Sequence, residues 1–207
     1  MKTSFFSSHS IVKEIYGHRL SEYLLAVQPD ADVYDKILNE KQIFYDEYKV
    51  QEIIKKNPQL IVAGFLVKEA MEETLSRWIQ RICSSQQRFT LTLNNYSGFP
   101  QNSIFLRVQN EQHFQKLSTA LKELNPYITS CACPPMQFTS RLHIRIADDL
   151  PENVYVNALK KYAHKTFHES FTVNELQLLK RRNEYDTYKP ISVFSLQPAK
   201  DTCSVLS

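Results

Sequence analysis

Two stretches of this chain follow the same pattern, and their repetition constrains the fold more than any other feature. Residues 141–147 alternate polar and apolar side chains around a histidine, His143. Residues 58–65 form a similar β-branched-rich run after a polar loop, but they lack the histidine. A helical pattern follows each run. The repetition predicts two related halves whose equivalent strands, residues 60–65 and 142–147, lie centrally and face each other.

Patterns along the rest of the chain predict the order strand, helix, strand, helix, two strands, helix, strand, helix, two strands. Residues 69–85 have the apolar spacing of a helix whose core face includes Trp78. Residues 127–139 are typical of an irregular loop, and residues 171–180 and 191–196 of a final hairpin. Two strand–helix–strand–strand units are embedded in this order, as a bilobal α+β protein requires.

The ends of the chain differ from the middle. Residues 1–19 are polar apart from one short apolar group, which predicts a loosely attached N-terminal extension. Residues 20–197 are expected to form a single bilobal domain. Residues 198–207 predict a polar C-terminal tail.

Composition excludes several classes of protein. The 207 residues carry a net charge of +3, a mild excess that permits an anionic ligand without predicting one. With only three glycines, the chain has no glycine-rich loop to cradle a nucleotide pyrophosphate. Cys131 and Cys133 are too close for a zinc knuckle and lack a histidine cluster, so neither metal nor cofactor is expected. Without a signal peptide or a bilayer-spanning apolar run, the expected compartment is the cytoplasm, with no membrane attachment.

Three framework segments accompany the repeated strands: residues 89–100, 104–108 and 171–181. Together they resemble the two-histidine phosphoesterase superfamily, which includes the 2′-5′ RNA ligase-like proteins and the RNA cyclic phosphodiesterases. The resemblance extends over residues 22–196. It implies a bilobal, pseudo-symmetric α+β fold in which two antiparallel sheets face a central cleft, with helices outside. It also implies a pair of His-x-Thr/Ser strands, one in each lobe, that flank a cleft of phosphate size.

Neither family motif is complete in this chain. The second would read His143-Ile144-Arg145, with an arginine in the place of the hydroxyl residue, and the first would read Gln59-Leu60-Ile61. In the family mechanism one histidine removes a proton from the attacking hydroxyl or water, and the other protonates the leaving oxygen without a metal. Glutamine cannot transfer a proton in this way, and isoleucine cannot hydrogen-bond a phosphate oxygen. The resemblance therefore implies a degenerate first motif.

The candidate ligand-binding residues are Gln59, Arg141, His143 and Arg145, and His143 is the candidate catalytic residue if turnover remains. Alternation along a strand places Arg141, His143 and Arg145 on one face. These groups repel one another unless an anion, nearby carboxylates or solvent offset their charge. A guanidinium such as that of Arg145 can bind phosphate through two parallel hydrogen bonds. A solvated sheet face without a ligand is the alternative interpretation.

A second basic segment lies near the end of the chain, with two tyrosines in it: Lys180, Arg181, Arg182, Tyr185, Tyr188 and Lys189. Aromatic side chains next to basic ones stack on bases in proteins that bind single strands. The simpler interpretation is a solvated hairpin turn with ordinary tyrosine packing.

Three functions remain open from the sequence. The protein binds a phosphorylated small molecule or RNA end with little or no turnover, or it hydrolyses 2′,3′-cyclic phosphates through His143 and a substitute proton donor. The third possibility is a non-catalytic interaction protein with a vestigial site. The expected assembly is a monomer. A cleft that accepts a phosphate favours the first two functions, and a cleft filled by side chains favours the third.

Overall fold

The computed structural model describes residues 14–15, 18–50, 57–99, 102–183 and 185–198. The strands in these ranges are β1 (Glu14–Ile15), β2 (His18–Val27), β3 (Leu60–Lys68), β4 (Phe89–Phe99), β5 (Ser103–Gln109), β6 (Gln137–Phe138), β7 (His143–Ala147), β8 (His168–Val173), β9 (Glu175–Arg181) and β10 (Lys189–Ser195). The α-helices are α1 (Ala31–Tyr48), α2 (Glu72–Cys83), α3 (Gln112–Leu121), α4 (Asn125–Ser130) and α5 (Glu152–Tyr162). Short 3₁₀ turns, Glu69–Met71 and Lys122–Leu124, precede α2 and α4.

The strands form two antiparallel sheets, as the sequence predicts. The six-stranded sheet has the order β10-β9-β2-β3-β6, and β1 pairs with the start of β2. The four-stranded sheet has the order β7-β5-β4-β8. Because β2 begins at His18, the six-stranded sheet includes residues just before position 20, where the sequence places the start of the main domain.

Helices pack on both sheets. α1 approaches β7 and β8, and α5 approaches β4 and β5, so these two helices lie on the four-stranded sheet. α2 approaches β10 of the six-stranded sheet and also contacts α3. Asp30 caps α1, since its carboxylate accepts the backbone N–H of Val33 at 3.1 Å. The buried side chains of the helices and of both sheets form one continuous apolar cluster, whose burial is the main favourable contribution to folding.

The predicted final hairpin is divided between the two sheets. Asn174 separates β8, which pairs with β4, from β9, which pairs with β2 and β10. The buried positions change phase here, from Phe171 and Val173 to Leu176 and Leu178. A strand keeps its alternation in phase, so this change marks the point where the chain passes from one sheet to the other. Residues 171–180 are therefore two strands and not one.

Of the two strands that carry the motif positions, β7 lies at the edge of its sheet and β3 lies next to the edge of the other. β7 is the edge strand of the four-stranded sheet, beside β5. β3 has β2 on one side and, on the other, only the two-residue strand β6, which pairs at Ala63 and Gly64. The prediction of a central strand is therefore wrong for β7. β3 and β7 are nevertheless close, since some of their Cα atoms lie within 8 Å of each other.

Two local predictions are also wrong. Trp78 of α2 is 45% exposed and stacks on Tyr127 with ring centroids 5.7 Å apart, whereas Ile79 beside it is fully buried. Residues 127–139 are not irregular throughout, because they include most of α4 and all of β6. Pro126 lies in the first turn of α4, where its missing N–H costs no hydrogen bond, so it is compatible with the start of this helix.

Candidate functional site

The second motif lies on the face of β7 that points away from the core. Ile144 and Ile146 are buried in the main apolar cluster, while His143 and Arg145 alternate with them and are partly exposed. Arg141 lies just before β7 and is exposed. The burial pattern of β7 thus has the alternation that its sequence predicts, and three of the four candidate ligand-binding residues lie along this edge.

The imidazole of His143 is positioned by the backbone and by an aromatic ring. Its Nδ1 lies 2.9 Å from the main-chain oxygen of Arg141. Because a carbonyl oxygen only accepts hydrogen bonds, Nδ1 carries the proton and Nε2 carries the lone pair. The ring meets Phe105 edge to face, with centroids 5.1 Å apart. Burial, with a smaller contribution from the charge of Arg145, lowers the pKa of His143 below its ordinary value, so the ring is a neutral base at neutral pH.

Arg145 contacts a carboxylate. Its Nη1 lies 3.4 Å from Oδ2 of Asp148; the Arg145 side chain is 40% exposed and that of Asp148 only 6%. This is one long contact, and not the bidentate arrangement of a tight arginine–carboxylate pair. A guanidinium has five N–H donors, so this contact leaves Arg145 able to donate to an anion as well. Asp148 offsets part of the positive charge that the sequence places on this face.

The pairing of β7 with β5 adds a cation that the sequence interpretation missed. Arg107 pairs with His143, and Phe105 pairs with Arg145. Directly paired residues share a sheet face, so Arg107 lies beside His143, and it is exposed. The alternation of residues 104–108 indicates that Arg107 points away from the core. Only the register between the two strands shows which residue it accompanies.

The first motif lies on β3, and it differs in character from the second. Gln59 immediately precedes β3 and is partly exposed, as is Ile61, while Leu60 and Val62 are buried. This alternation also follows the sequence prediction. The described hydrogen bonds include none between Gln59 and His143. The structure therefore brings the two motif strands near each other without joining their polar side chains directly.

Apolar packing fills the sheet face around Ile61. Ile61 packs against a small cluster formed by Leu24, Ala26 and Leu179, each of which is at most 5% exposed. Tyr188 packs against the same cluster. The cluster is separate from the main core. Along β2 its members, Leu24 and Ala26, alternate with Tyr23 and Leu25, which face the main core, so the cluster lies on the opposite face of this strand. The motif position at which a hydroxyl side chain is expected is thus surrounded by hydrocarbon.

Carboxylates neutralise the basic segment near the end of the chain. Arg181 Nε and Nη2 lie 2.6 and 2.5 Å from Oε2 of Glu22, and both side chains are almost fully buried. The Tyr188 hydroxyl donates to the other oxygen of Glu22, and the Arg181 guanidinium lies 4.6 Å from the centroid of the Tyr188 ring. Burial, with the hydrogen bond to Glu22 as a second cause, raises the pKa of Tyr188. Arg181 and Tyr188 therefore have a structural role as the partners of Glu22.

Lys180 and Arg182 have acidic partners at the start of α2. Lys180 Nζ lies 2.6 Å from Glu72 and 3.1 Å from Glu69, and Arg182 Nε lies 3.2 Å from Glu69. Anionic side chains at a helix N-terminus also interact favourably with the helix dipole. These contacts favour a structural hairpin over the base-stacking site that the sequence left open.

In the ranges that the structure describes, no group of three or more His, Cys, Asp or Glu side chains is placed to hold a metal ion. No helix within those ranges is long and apolar enough to cross a membrane. A shallow depression on α5 is lined by Glu152, Asn153, Val156 and Asn157. None of these four residues lies on β3 or β7, so the depression is not part of the candidate site.

Comparison with known proteins identifies a family whose model includes both motif strands. A family model described as the 2′-5′ RNA ligase superfamily matches residues 59–184, which is more than half of the 207 residues. No curated protein sequence matches the chain significantly.

The solved structures that match show the same fold. E. coli LigT complexed with NADP⁺ has 19% sequence identity and a TM-score of 0.61, over 86% of this chain and 99% of that chain. E. coli LigT complexed with 3′-AMP has the same identity and coverage and a TM-score of 0.60. A protein described as a phosphoesterase matches with 18% identity and a TM-score of 0.59, over 86% of this chain and 99% of its own.

Proposed function

We propose that this chain, which belongs to the 2′-5′ RNA ligase superfamily, binds a phosphorylated small molecule or the phosphorylated end of an RNA and turns it over slowly or not at all. The observation that carries this proposal is the difference between the two motif positions. The second offers His143 and Arg145 on a partly exposed strand face. The first offers Gln59 and Ile61, and Ile61 packs into an apolar cluster.

Binding is supported by the cations along β7. Arg141, Arg145 and the paired Arg107 supply positive charge and N–H donors on one edge, which is the chemistry that holds a phosphate. E. coli LigT has been crystallised with 3′-AMP, ATP and NADP⁺, ligands that share a phosphate group. A ligand of that class suits this edge, and Gln59 on the neighbouring strand would contribute a hydrogen bond from the other side.

Weak turnover follows from the missing proton-transfer partner. Opening a 2′,3′-cyclic phosphate needs one group to remove a proton and another to supply one, and each such group is typically worth about 10²–10⁴-fold. His143 can serve as one of them through the lone pair on Nε2. Gln59 cannot serve as the other. A metal-independent cyclic phosphodiesterase that uses His143 with a substitute donor is the alternative, and the neutral imidazole favours it.

The apolar cluster favours a third function, that of a non-catalytic interaction protein with a vestigial site. Leu24, Ala26 and Leu179 are buried on the first-motif side, so part of the expected cleft is filled by side chains. The partial exposure of His143 and Arg145 supports phosphate binding over this alternative. The proposal also includes a cytoplasmic location and a monomeric state, and light scattering after size-exclusion chromatography tests the latter.

One pair of measurements tests the proposal. Isothermal titration with 3′-AMP is expected to show binding to the wild type and weaker binding to His143→Ala. An RNA that ends in a 2′,3′-cyclic phosphate is expected to remain largely uncleaved by either form. Robust wild-type cleavage that disappears in His143→Ala would establish the enzyme, and failure of both forms to bind 3′-AMP would favour the interaction protein.

A further inference from the structure

One peptide unit just before β7 connects His143 to a carboxylate. The unit between Arg141 and Leu142 offers one acceptor and one donor, and both are used. Its carbonyl oxygen, which belongs to Arg141, accepts the Nδ1–H of His143 at 2.9 Å. Its amide N–H, which belongs to Leu142, donates to Oε1 of Glu111 at 3.1 Å. The imidazole and the carboxylate are therefore bound to opposite sides of the same planar, conjugated group.

The fold brings Glu111 to this peptide through a short connection. The pairing of β5 with β7 begins at His143, so Leu142 lies just outside the ladder. After β5 the chain turns at Asn110, whose φ of 60° is in the left-handed region that asparagine tolerates. Glu111 follows as the N-cap residue of α3, and its main-chain oxygen accepts a hydrogen bond of 2.8 Å within the first helical turn. The backbone of Glu111 is thus fixed close to the start of β7.

Burial favours communication between the two hydrogen bonds. Leu142 is 3% exposed, and Glu111 and His143 are both partly buried. Hydrogen bonds to a charged acceptor are stronger than those to a neutral one, and bonds in a chain polarise one another where the local dielectric constant is low. The Glu111 carboxylate therefore polarises the peptide, and the carbonyl oxygen becomes a better acceptor for Nδ1–H of His143.

Charged groups of several elements lie near the ring: Arg107 on β5, Arg141 just before β7, Arg145 on β7 with its partner Asp148, and Glu111 at the start of α3. Two further elements pack against β7. α1 lies on the face that carries Ile144, opposite the ring, and the charged residue of β3 is Lys68, at the end of that strand. Burial lowers the pKa of His143, the hydrogen bond to Arg141 raises it, and the charge of Arg145 lowers it.

We propose that Glu111 is a positioning residue for His143, because its carboxylate strengthens, through the peptide of Arg141 and Leu142, the hydrogen bond that leaves the imidazole lone pair on Nε2. The hydrogen bond at one ring nitrogen sets the tautomer and so decides which atom faces a ligand. The inference rests on the proposed function, since Nε2 would accept a hydrogen bond from a hydroxyl group of the phosphorylated ligand. It names a second residue of that site, which sequence proximity does not indicate.

Nuclear magnetic resonance of the imidazole nitrogens tests this role in the ligand-free protein. The ¹⁵N shifts of His143 report its tautomer, and their change with pH gives its pKa; His143→Gln identifies the signals. Glu111→Gln keeps an acceptor and removes the charge. Glu111→Asp keeps the charge on a side chain that is one methylene shorter, which withdraws it from the Leu142 N–H. The matched control is Glu123→Gln, at an exposed position after α3.

Glu111→Gln is expected to lower the pKa of His143 by about 0.3 and to populate the second tautomer detectably, because cooperative strengthening is roughly 10–30% of a hydrogen bond. Glu111→Asp should resemble Glu111→Gln if the peptide transmits the effect. Glu123→Gln should change neither the tautomer nor the pKa. Urea unfolding of each variant measures any loss of stability alongside these signals.

Three outcomes would overturn the proposal. An unchanged tautomer and pKa in Glu111→Gln would exclude the role of Glu111, and a loss of stability with no change at His143 would make the contact purely structural. Wild-type values in Glu111→Asp would replace the route through the peptide with a direct effect of charge.

The proposed function is tested separately, by adding 3′-AMP to the wild type. Failure of 3′-AMP to shift the His143 signals would count against the phosphate site and leave the ligand-free result on Glu111 intact. A shift on 3′-AMP addition together with no effect of Glu111→Gln would support the site and overturn the positioning role.

Discussion

His143 donates its Nδ1–H to the main-chain oxygen of Arg141 at 2.9 Å, so the lone pair of the imidazole lies on Nε2. The same ring is partly buried, and this burial lowers its pKa below the ordinary 6.5. Burial keeps His143 neutral near pH 7, and the hydrogen bond to Arg141 selects a single tautomer. The pH dependence of stability and any proton transfer by His143 depend on this state.

The first prediction concerns pH. The folded protein binds a proton at His143 less readily than the unfolded chain, so this residue contributes stability above about pH 6.5 that is lost as pH falls toward its lowered folded pKa. The difference in urea-unfolding free energy between pH 7 and pH 5 should be smaller in His143→Gln than in the wild type. His164→Gln, at an exposed position, serves as the control. An unchanged difference in His143→Gln would contradict the prediction.

The second prediction concerns Arg145. Arg145→Gln removes charge-assisted hydrogen bonds to the phosphate and should therefore weaken 3′-AMP binding about tenfold. Arg145→Lys keeps the positive charge but lacks the planar guanidinium that binds phosphate through two hydrogen bonds. Its affinity for 3′-AMP should therefore lie between that of the wild type and that of Arg145→Gln. Arg77→Gln removes an exposed arginine elsewhere and should bind 3′-AMP like the wild type. Titration calorimetry at constant salt measures all four forms.

The third prediction concerns the first motif. Gln59→His with Ile61→Thr restores a proton-transfer group and a hydroxyl on β3, and it should raise the cleavage rate of a 2′,3′-cyclic phosphate by about 10²–10⁴-fold if the two strands face each other productively. Adding His143→Ala to the double variant should abolish the gain. Ile61→Thr alone is the control for the loss of packing against Leu24 and Leu179. No gain in rate would show that the strand geometry is unsuited to the two-histidine reaction.

The fourth prediction concerns the buried pair of Glu22 and Arg181. Arg181→Met should lower the free energy of unfolding by about 3–5 kcal/mol, because it leaves a buried carboxylate without its guanidinium. Glu22→Leu with Arg181→Met removes both charges and should regain most of the loss. Urea denaturation of the wild type, Arg181→Met and the double variant measures the three free energies of unfolding. Equal destabilisation in the single and double variants would mean that the lost charge is not the cause.

The fifth prediction concerns Gly98. A Cβ at this position would lie 2.6 Å from the Tyr155 hydroxyl and 2.8 Å from Cδ1 of Leu159, both closer than normal contacts. Gly98→Ala should therefore cost about 1–3 kcal/mol of stability, since neighbouring side chains of α5 must move. Tyr155→Phe removes the nearest atom. Combining it with Gly98→Ala should cost less than the sum of the two single changes, which chemical denaturation measures.

Much of the fold follows from local patterns that can be read along the chain. The alternation of His143 and Arg145 with Ile144 and Ile146 predicts the face that each side chain occupies, because successive residues of a strand point to opposite sides. The phase change at Asn174 is also present in the sequence, as the step from Phe171 and Val173 to Leu176 and Leu178, although the composition of residues 171–180 is typical of a single strand.

The prediction that Trp78 lies on the core face of α2 is wrong because of the width of the apolar stripe. The apolar spacing in α2 defines a stripe wider than the surface that the core covers, and the residue at its margin stacks on Tyr127 instead.

By itself, the sequence determined the residue types at the two motif positions and the lack of a glycine-rich phosphate loop, because these depend only on which side chains are present. It also determined the alternating strands, since alternation depends only on neighbours two residues apart. Only the tertiary structure decided that Arg107 lies beside His143 and that Glu22 neutralises Arg181. These partners are far apart along the chain, and their meeting depends on strand order and register, which burial of the whole core selects.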